Sequence, residues 1–306
     1  MDTTITLIKS HNRKLELKNP IMNASGTFGY GDEFSEMFDL SMLGAIVTKG
    51  ISLMPKQGNP VPRIVETACG LINAIGLENI GVDAFLAEKL PALRKFHTQV
   101  IVNFFGNTEE EYVKCAKKLS VNGIDALEMN VSCPNVKAGG IHFGTDPQVL
   151  YTLVKKVRAV TEKCLIVKLS PLVSDITKMA CSSQDAGADA LTCINTIPAM
   201  AIDEETKKPV LGNVTGGLSG PAIKPIALRM VWEVSRKCSI PVIGSGGICS
   251  ATDVIQFMLA GASAVEIGSF SLREPFCFPD IIQGLSLYMK QHKITAIRDI
   301  IGKLEI

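Results

Sequence analysis

This chain has one Trp, four Tyr and four His in 306 residues, and none of its nine cysteines forms a C-x-x-C pair. The missing pair argues against a zinc or iron–sulfur centre built from neighbouring cysteines, though ligands can converge from distant segments. No apolar stretch reaches the ~18 residues of a membrane span, so no membrane partner is expected. Charge of one sign is also lacking: 31 Lys and Arg stand against 30 Asp and Glu, a net charge of +1. No field over the whole surface would then attract nucleic acid or anionic lipid. The opening Met1-Asp2-Thr3-Thr4 has neither the basic start nor the apolar run of a signal peptide, and the odd cysteine count argues against a complete disulfide set. Reduced thiols in a cytoplasm are the expectation. With 26 Gly and 15 Pro, close to average usage, low-complexity and collagen-like readings fail. What remains is a chain that is 46% hydrophobic and long enough to bury roughly 75% of its unfolded surface.

Eight short apolar, β-branched runs are present: Pro20–Ser25, Gly44–Lys49, Val100–Phe105, Ala126–Val131, Leu165–Leu169, Ala190–Asn195, Pro241–Gly244 and Ala264–Gly268. They are mostly continuous rather than alternating, as suits parallel strands buried on both faces. Helical periodicity lies between them, near 82–96, 108–120, 146–162, 174–185, 221–237, 251–260 and 277–291. Asn107/Thr108 and Ser174 are expected caps, each followed by acidic residues where the helix dipole favours them. Eight strands with intervening helices predict one α/β domain over residues 1–306, a (β/α)8 barrel, with a doubly wound open sheet as runner-up. Residues 50–80 and 198–220 lack helical periodicity and read as insertions at the C-terminal face, a feature more often functional than idle.

In such barrels the C-terminal strand ends build the site. Those positions read Ser25-Gly26, Lys49-Gly50, Asn103, Asn130, Lys168, Asn195-Thr196, Gly246-Gly247 and Gly268-Ser269. Polar residues or glycines at every end imply a polar ligand over the mouth. Two glycine loops after the last two strands suit a phosphate, because they expose backbone N–H groups at a helix start. They do not match the G-x-G-x-x-G dinucleotide fingerprint. Lys49 and Lys168 interrupt apolar runs, and a buried ammonium needs a partner; Glu128 is a candidate. Cys115, Cys164, Cys181 and Cys193 read as small core hydrophobes. Cys133 follows the fourth strand beside Pro134 and a Gly-bearing stretch, where it has the chemistry of a nucleophile, a general base or a metal ligand. None of the four histidines stands at a strand end, which weakens a Cys–His hydrolase reading, although His142 keeps it alive.

The motifs Asn23-Ala-Ser-Gly26, Gly58-Asn-Pro-Val-Pro-Arg63, Asn73-Ala-Ile-Gly-Leu77, Asn130-Val-Ser-Cys-Pro-Asn135, Val167-Lys-Leu-Ser-Pro171, Ile194-Asn-Thr196, Gly216-Gly-Leu-Ser-Gly220 and Gly244-Ser-Gly-Gly247 occur together and in order. As a set they resemble dihydroorotate dehydrogenase of class 1, most closely the class 1B catalytic subunit, over essentially the whole chain. The resemblance implies an FMN enzyme that oxidises (S)-dihydroorotate to orotate in pyrimidine biosynthesis. It implies FMN contacts from Ser25, Lys49, Gly50, Asn103, Asn130, Lys168, Ile194, Gly220, Gly246, Gly247, Gly268 and Ser269. Substrate contacts would come from Lys49, Asn73, Ala74, Ile75, Gly76, Leu77, Asn130, Asn195 and Thr196, and Cys133 falls on the catalytic base. Phe270 is a departure, since relatives usually carry a small residue there. The class 1B wording further implies a partner subunit carrying FAD and a [2Fe–2S] cluster that passes electrons to NAD+, around a homodimeric core of a heterotetramer.

The chemistry is consistent with those residues. A proton must leave C5 and a hydride C6, so a base has to face the flavin across the substrate. Lys168 near the flavin N1 and O2 would stabilise the anion formed on reduction. Lys49 suits the substrate carboxylate, and the asparagine amides, which both donate and accept, suit its imide-like edges. Residues 133–144 read as a lid hinged at Gly139 and Gly140. A class 1A, fumarate-linked enzyme, a dihydropyrimidine dehydrogenase-type flavoenzyme and a non-enzymatic flavin-binding barrel are the competing readings.

Overall fold

The computed structural model describes residues 1–10, 13–131 and 143–305. A hairpin of β1 (Ile5–Ser10) and β2 (Arg13–Leu17) leads in. The barrel strands are β3 (Ile21–Asn23), β4 (Ala45–Val47), β7 (Gln99–Phe104), β8 (Ala126–Asn130), β9 (Cys164–Lys168), β10 (Ala190–Cys193), β15 (Val242–Ser245) and β16 (Ala262–Ile267). They close in that order, β16 pairing back onto β3, and every pairing is parallel. Each lies in or overlaps one of the eight apolar runs. Their side chains are buried on both faces, which is why the runs are continuous: the barrel interior takes one face and the helical layer the other.

The β3–β4 pairing is the weakest seam, with a single registered pair at Met22 and Ala45. Asn23 reinforces it. Its amide donates to the Val47 carbonyl at 2.6 Å and its side-chain oxygen accepts from the Val47 N–H at 3.0 Å, both fully buried. The β1–β2 hairpin packs Leu7, Leu15 and Leu17 into the core. Arg13 Nε donates to Asp189 at 3.0 Å, just ahead of β10, and Arg158 reaches the other oxygen of Asp189 at 2.9 Å. The hairpin is thereby pinned beside the strand starts, away from the C-terminal ends.

Helices fill the predicted intervals: Val82–Ala84 running on through Phe85–Lys89 and Leu90–Leu93, then Glu109–Leu119, Pro147–Arg158, Ile176–Asp185, Lys224–Lys237, Ala251–Leu259 and Cys277–Gln291. Thr108 caps its helix as expected, accepting from the Glu111 N–H. The expected Ser174 cap is corrected to Asp175, whose carboxylate accepts from the Thr177 N–H. Both residue types cap well, and the helix begins one position later.

The two insertions are not irregular. They hold β5 (Ile64–Thr67), β6 (Gly70–Asn73), β11 (Ile197–Met200), the short pair β12 (Ile202–Asp203) and β13 (Lys208–Pro209), and β14 (Thr215–Ser219). β11, β14, β6 and β5 form one antiparallel four-stranded sheet, so segments far apart in sequence meet beside the barrel mouth. Gly217 permits this approach: a Cβ there would lie 2.0 Å from Thr196 Oγ1.

Candidate active site

The C-terminal strand ends and the inserted sheet enclose a cavity of about 380 Å³, within the range of small-molecule sites. Ser25, Lys49, Gly50, Asn103, Asn130, Lys168, Ile194, Gly220, Gly246, Gly247, Gly268 and Ser269 all line it. So do Asn73, Ile75, Gly76, Leu77, Asn195 and Thr196. Ala74 does not. It is fully buried in a small apolar cluster with Ile72 and Leu211, because strand alternation turns Ile72 and Ala74 away from the face that carries Leu71, Asn73 and Ile75. Cys133, His142 and almost all of the expected 133–144 lid lie outside the described residues.

The loop after β6 is held by Gly58–Arg63, the motif next to it in sequence. The Asn59 amide donates to the Ala74 carbonyl and its backbone N–H to Ile75, each at 3.0 Å. Gly76 has φ of +79° and Leu77 of +60°. A Cβ on Gly76 would meet the Asn59 backbone nitrogen at 2.5 Å, so both the turn and the close approach call for glycine. Across the mouth, Asn195 donates to the Asn130 side-chain oxygen at 3.2 Å, and the Tyr112 hydroxyl donates to the Asn130 carbonyl at 2.7 Å.

The two lysines differ. Lys168 is 5% exposed, as its apolar surroundings lead one to expect. The expectation that Lys49 is buried is corrected: its side chain keeps a quarter of its exposure at the open mouth, with Glu78 4.0 Å away. Glu128, the candidate partner for a buried lysine, lies 3.8 Å from Lys168, and Glu266 on β16 is nearer, at 2.6 Å. Burial works against the Lys168 charge, but Glu128 and Glu266 together hold its affinity for a proton above the ordinary lysine range. Asn103 donates to Glu128 at 2.6 Å, while its side-chain oxygen is buried at the cavity edge without a hydrogen-bond partner among the described residues.

After β15, Gly246 and Gly247 have φ of +135° and +73° and lead into the helix Ala251–Leu259. Asp253 organises this turn. Its carboxylate accepts from the Cys249 N–H and the Ser250 hydroxyl, each at 2.9 Å, and from Lys224 at 2.5 Å. Ser250 returns the contact by accepting from the Asp253 N–H, a reciprocal capping arrangement. Cys249, Phe270, Glu78 and Ser219 also line the cavity and were not picked out by sequence reasoning as site residues, Phe270 apart as a departure.

Of the cysteines read as core, Cys115, Cys164 and Cys193 are buried and Cys181 is half-buried. Burial pushes the Cys115 thiol up to about 12 and that of Cys164 to about 11. Neither is poised to react.

A family described as dihydroorotate dehydrogenase matches residues 7–289. The chain belongs to the dihydroorotate dehydrogenase family. It is 56% identical over 292 residues to the Pelobacter propionicus dihydroorotate dehydrogenase B (NAD(+)), catalytic subunit, covering 95% of this chain and 96% of that one. A Geobacter sulfurreducens protein of the same name is 56% identical over 293 residues, with the same shares covered. A crystal structure of DHODH from Eimeria tenella in complex with ferulenol superposes with a TM-score of 0.78 at 24% identity, over 94% of this chain and 86% of that one, a likeness of fold.

Proposed function

We propose that this chain is the catalytic subunit of an NAD+-linked dihydroorotate dehydrogenase, oxidising (S)-dihydroorotate to orotate with FMN bound at the barrel mouth. The observation that carries the reading is that every residue matched to FMN binding opens onto one cavity in a chain of this family. The residues fit that group. Asn103 offers a ring N–H a buried acceptor that has no partner among the described residues, Lys168 offers a cation to the electron-rich end of the flavin, and Gly246 and Gly247 an N–H-lined turn for its phosphate. When bound, FMN supplies the acceptor for the hydride that leaves C6.

The chain's own residues do the rest. Lys49, with its nitrogen at the open mouth, pairs with the substrate carboxylate, and the amides of Asn73, Asn130 and Asn195 meet its polar edges. Cys133, assigned by its sequence motif, takes the proton from C5 as general base. Lys168 presents a fixed positive charge where negative charge builds, at no reorganisation cost during the reaction. The relatives' name, catalytic subunit, together with the absence of a dinucleotide fingerprint in this sequence, supports onward electron transfer through a partner subunit carrying FAD and [2Fe–2S].

Anaerobic mixing of the purified yellow chain with dihydroorotate tests this reading. Rapid bleaching of the flavin spectrum is expected. A colourless chain would refute it, as would bleaching by dihydrouracil but not by dihydroorotate.

A further inference from the structure

Beneath the cavity the barrel interior holds three ionisable groups from three strands: Glu128 on β8, Lys168 on β9 and Glu266 on β16. All are almost completely withdrawn from solvent, at 0%, 5% and 1% exposure. Two carboxyl groups therefore share one ammonium in a dry space. With both ionised the trio would carry a net negative charge in a space where burial and mutual repulsion both oppose it. With one proton retained it is neutral. Like charges at close quarters resolve in this way in paired carboxyl sites generally.

We propose that Glu128 and Glu266 form a one-proton carboxyl pair that positions Lys168 and sets a single negative charge against its ammonium. The hydrogen bonds indicate where the proton sits. Glu128 accepts from Asn103 at 2.6 Å and from the Thr192 hydroxyl at 2.8 Å, besides facing Lys168. Among the described residues Glu266 meets only Lys168 and, across the pair, Glu128 itself. A carboxylate surrounded by donors is the better anion, so Glu128 carries the charge and Glu266 the proton. Consistently, burial and then the charge of Glu128 push Glu266 well above the usual carboxylate range. Burial also works to raise Glu128, but Lys168, a hydrogen bond from Glu266, Asn103 and Thr192 hold it low. Glu128 and Lys168 are the charged groups acting on Glu266; Asn103 from β7 and Thr192 from β10 complete the ring as neutral partners of Glu128.

The consequence concerns the cavity above. Two ionised glutamates would over-neutralise Lys168 and oppose negative charge developing there. A single one leaves the ammonium electrostatically available while fixing its nitrogen from below. Both glutamates act through Lys168 and are positioning residues. The functional part of this inference rests on the proposed FMN reading; the protonation part does not.

The test is infrared spectroscopy of the purified holoenzyme at pH 7, unlabelled and with ¹³C-glutamate, joined to potentiometry of Glu128→Gln, Glu266→Gln and the double variant. The wild type should show a protonated-carboxyl band that moves on glutamate labelling. Both single variants should lose it, because the remaining carboxyl then ionises against Lys168. Each single variant should keep a flavin midpoint potential near the wild-type value, and the double variant should shift it by more than the two single shifts together. Absence of the band in the wild type would overturn the proposal even if no variant folds. So would an additive double variant, or one single variant that shifts the potential as far as the double. A chain purified without flavin would refute the FMN reading, while the band would still decide the protonation of the pair.

Discussion

A single polar residue inside an apolar run is the most legible signal in this sequence. Lys168 and Asn103 stand out because nothing else explains a charge or an amide among Val, Ile and Phe, and both line the cavity. The same argument applies to Glu266 within its run Ala264–Gly268, and following it there would have supplied the nearer partner of Lys168. Ala74 went the other way: a motif was carried over as a block, while strand alternation divides it between two faces. Two predictions belong to this scale. Lys168→Ala should lower the flavin midpoint potential and slow flavin reduction, with a smaller change in dihydroorotate affinity, as read by potentiometry and stopped-flow absorbance; an unaltered midpoint would leave Lys168 a packing residue. Cys133→Ala should retain FMN but slow reduction by roughly 10²–10⁴-fold, the usual scale for a lost positioned base. Cys133→Ser should keep part of the rate with its optimum moved to higher pH, because a hydroxyl ionises less readily than a thiol near 8.5. Unchanged single-turnover rates in the alanine variant would reject the assignment.

At the level of elements, the barrel strands and helices were legible because continuous apolar runs and 3.6-residue periodicity are strong, local patterns. β5, β6 and β14 were not. They are short and only partly buried, and β6 and β14 meet across more than a hundred residues, so no local pattern marks the sheet that they form with the β5–β6 hairpin. The glycine turn after β15 was legible, but its brace was not, since Asp253 gains its meaning only from the approach of Lys224. Burial alone would raise the Asp253 carboxyl; the Lys224 ammonium, the Cys249 N–H and Ser250 together hold it below the ordinary aspartate range. A carboxyl whose folded value is depressed contributes stability that is present above the unfolded value near 3.9 and is lost as pH falls through the folded one. Asp253→Asn should therefore cost about 1–3 kcal/mol at pH 7, the range for unpairing buried partners, and weaken FMN retention. The deficit relative to wild type should shrink below about pH 4. Denaturant titrations at pH 7 and pH 3, with flavin content after dialysis, measure both; a deficit independent of pH would mean that the Lys224 ion pair contributes nothing.

For the whole molecule, the question is where the electrons go after substrate oxidation. The closed barrel and the cavity at its mouth were readable from the count, order and ends of the strands, and nothing points to a second redox centre in this sequence. It has neither a dinucleotide fingerprint nor a paired-cysteine spacing, and among the described residues no group of three or more His, Cys, Asp or Glu is placed to hold a metal. The 56% identical relatives are named as catalytic subunits of an NAD(+)-linked enzyme. That name implies a second subunit, and under the proposed function it is this subunit that carries the electrons on to NAD+. Alone, the chain should reduce artificial dyes with dihydroorotate at high rates while reducing neither NAD+ nor fumarate usefully. Isolation from its native source under mild, anaerobic conditions should yield a second, brown subunit with FAD and iron–sulfur absorbance, and adding that subunit back should restore NAD+ reduction. Rapid fumarate reduction by the isolated chain would place it with the class 1A enzymes instead, and rapid NAD+ reduction without any partner would require a nucleotide site within these 306 residues.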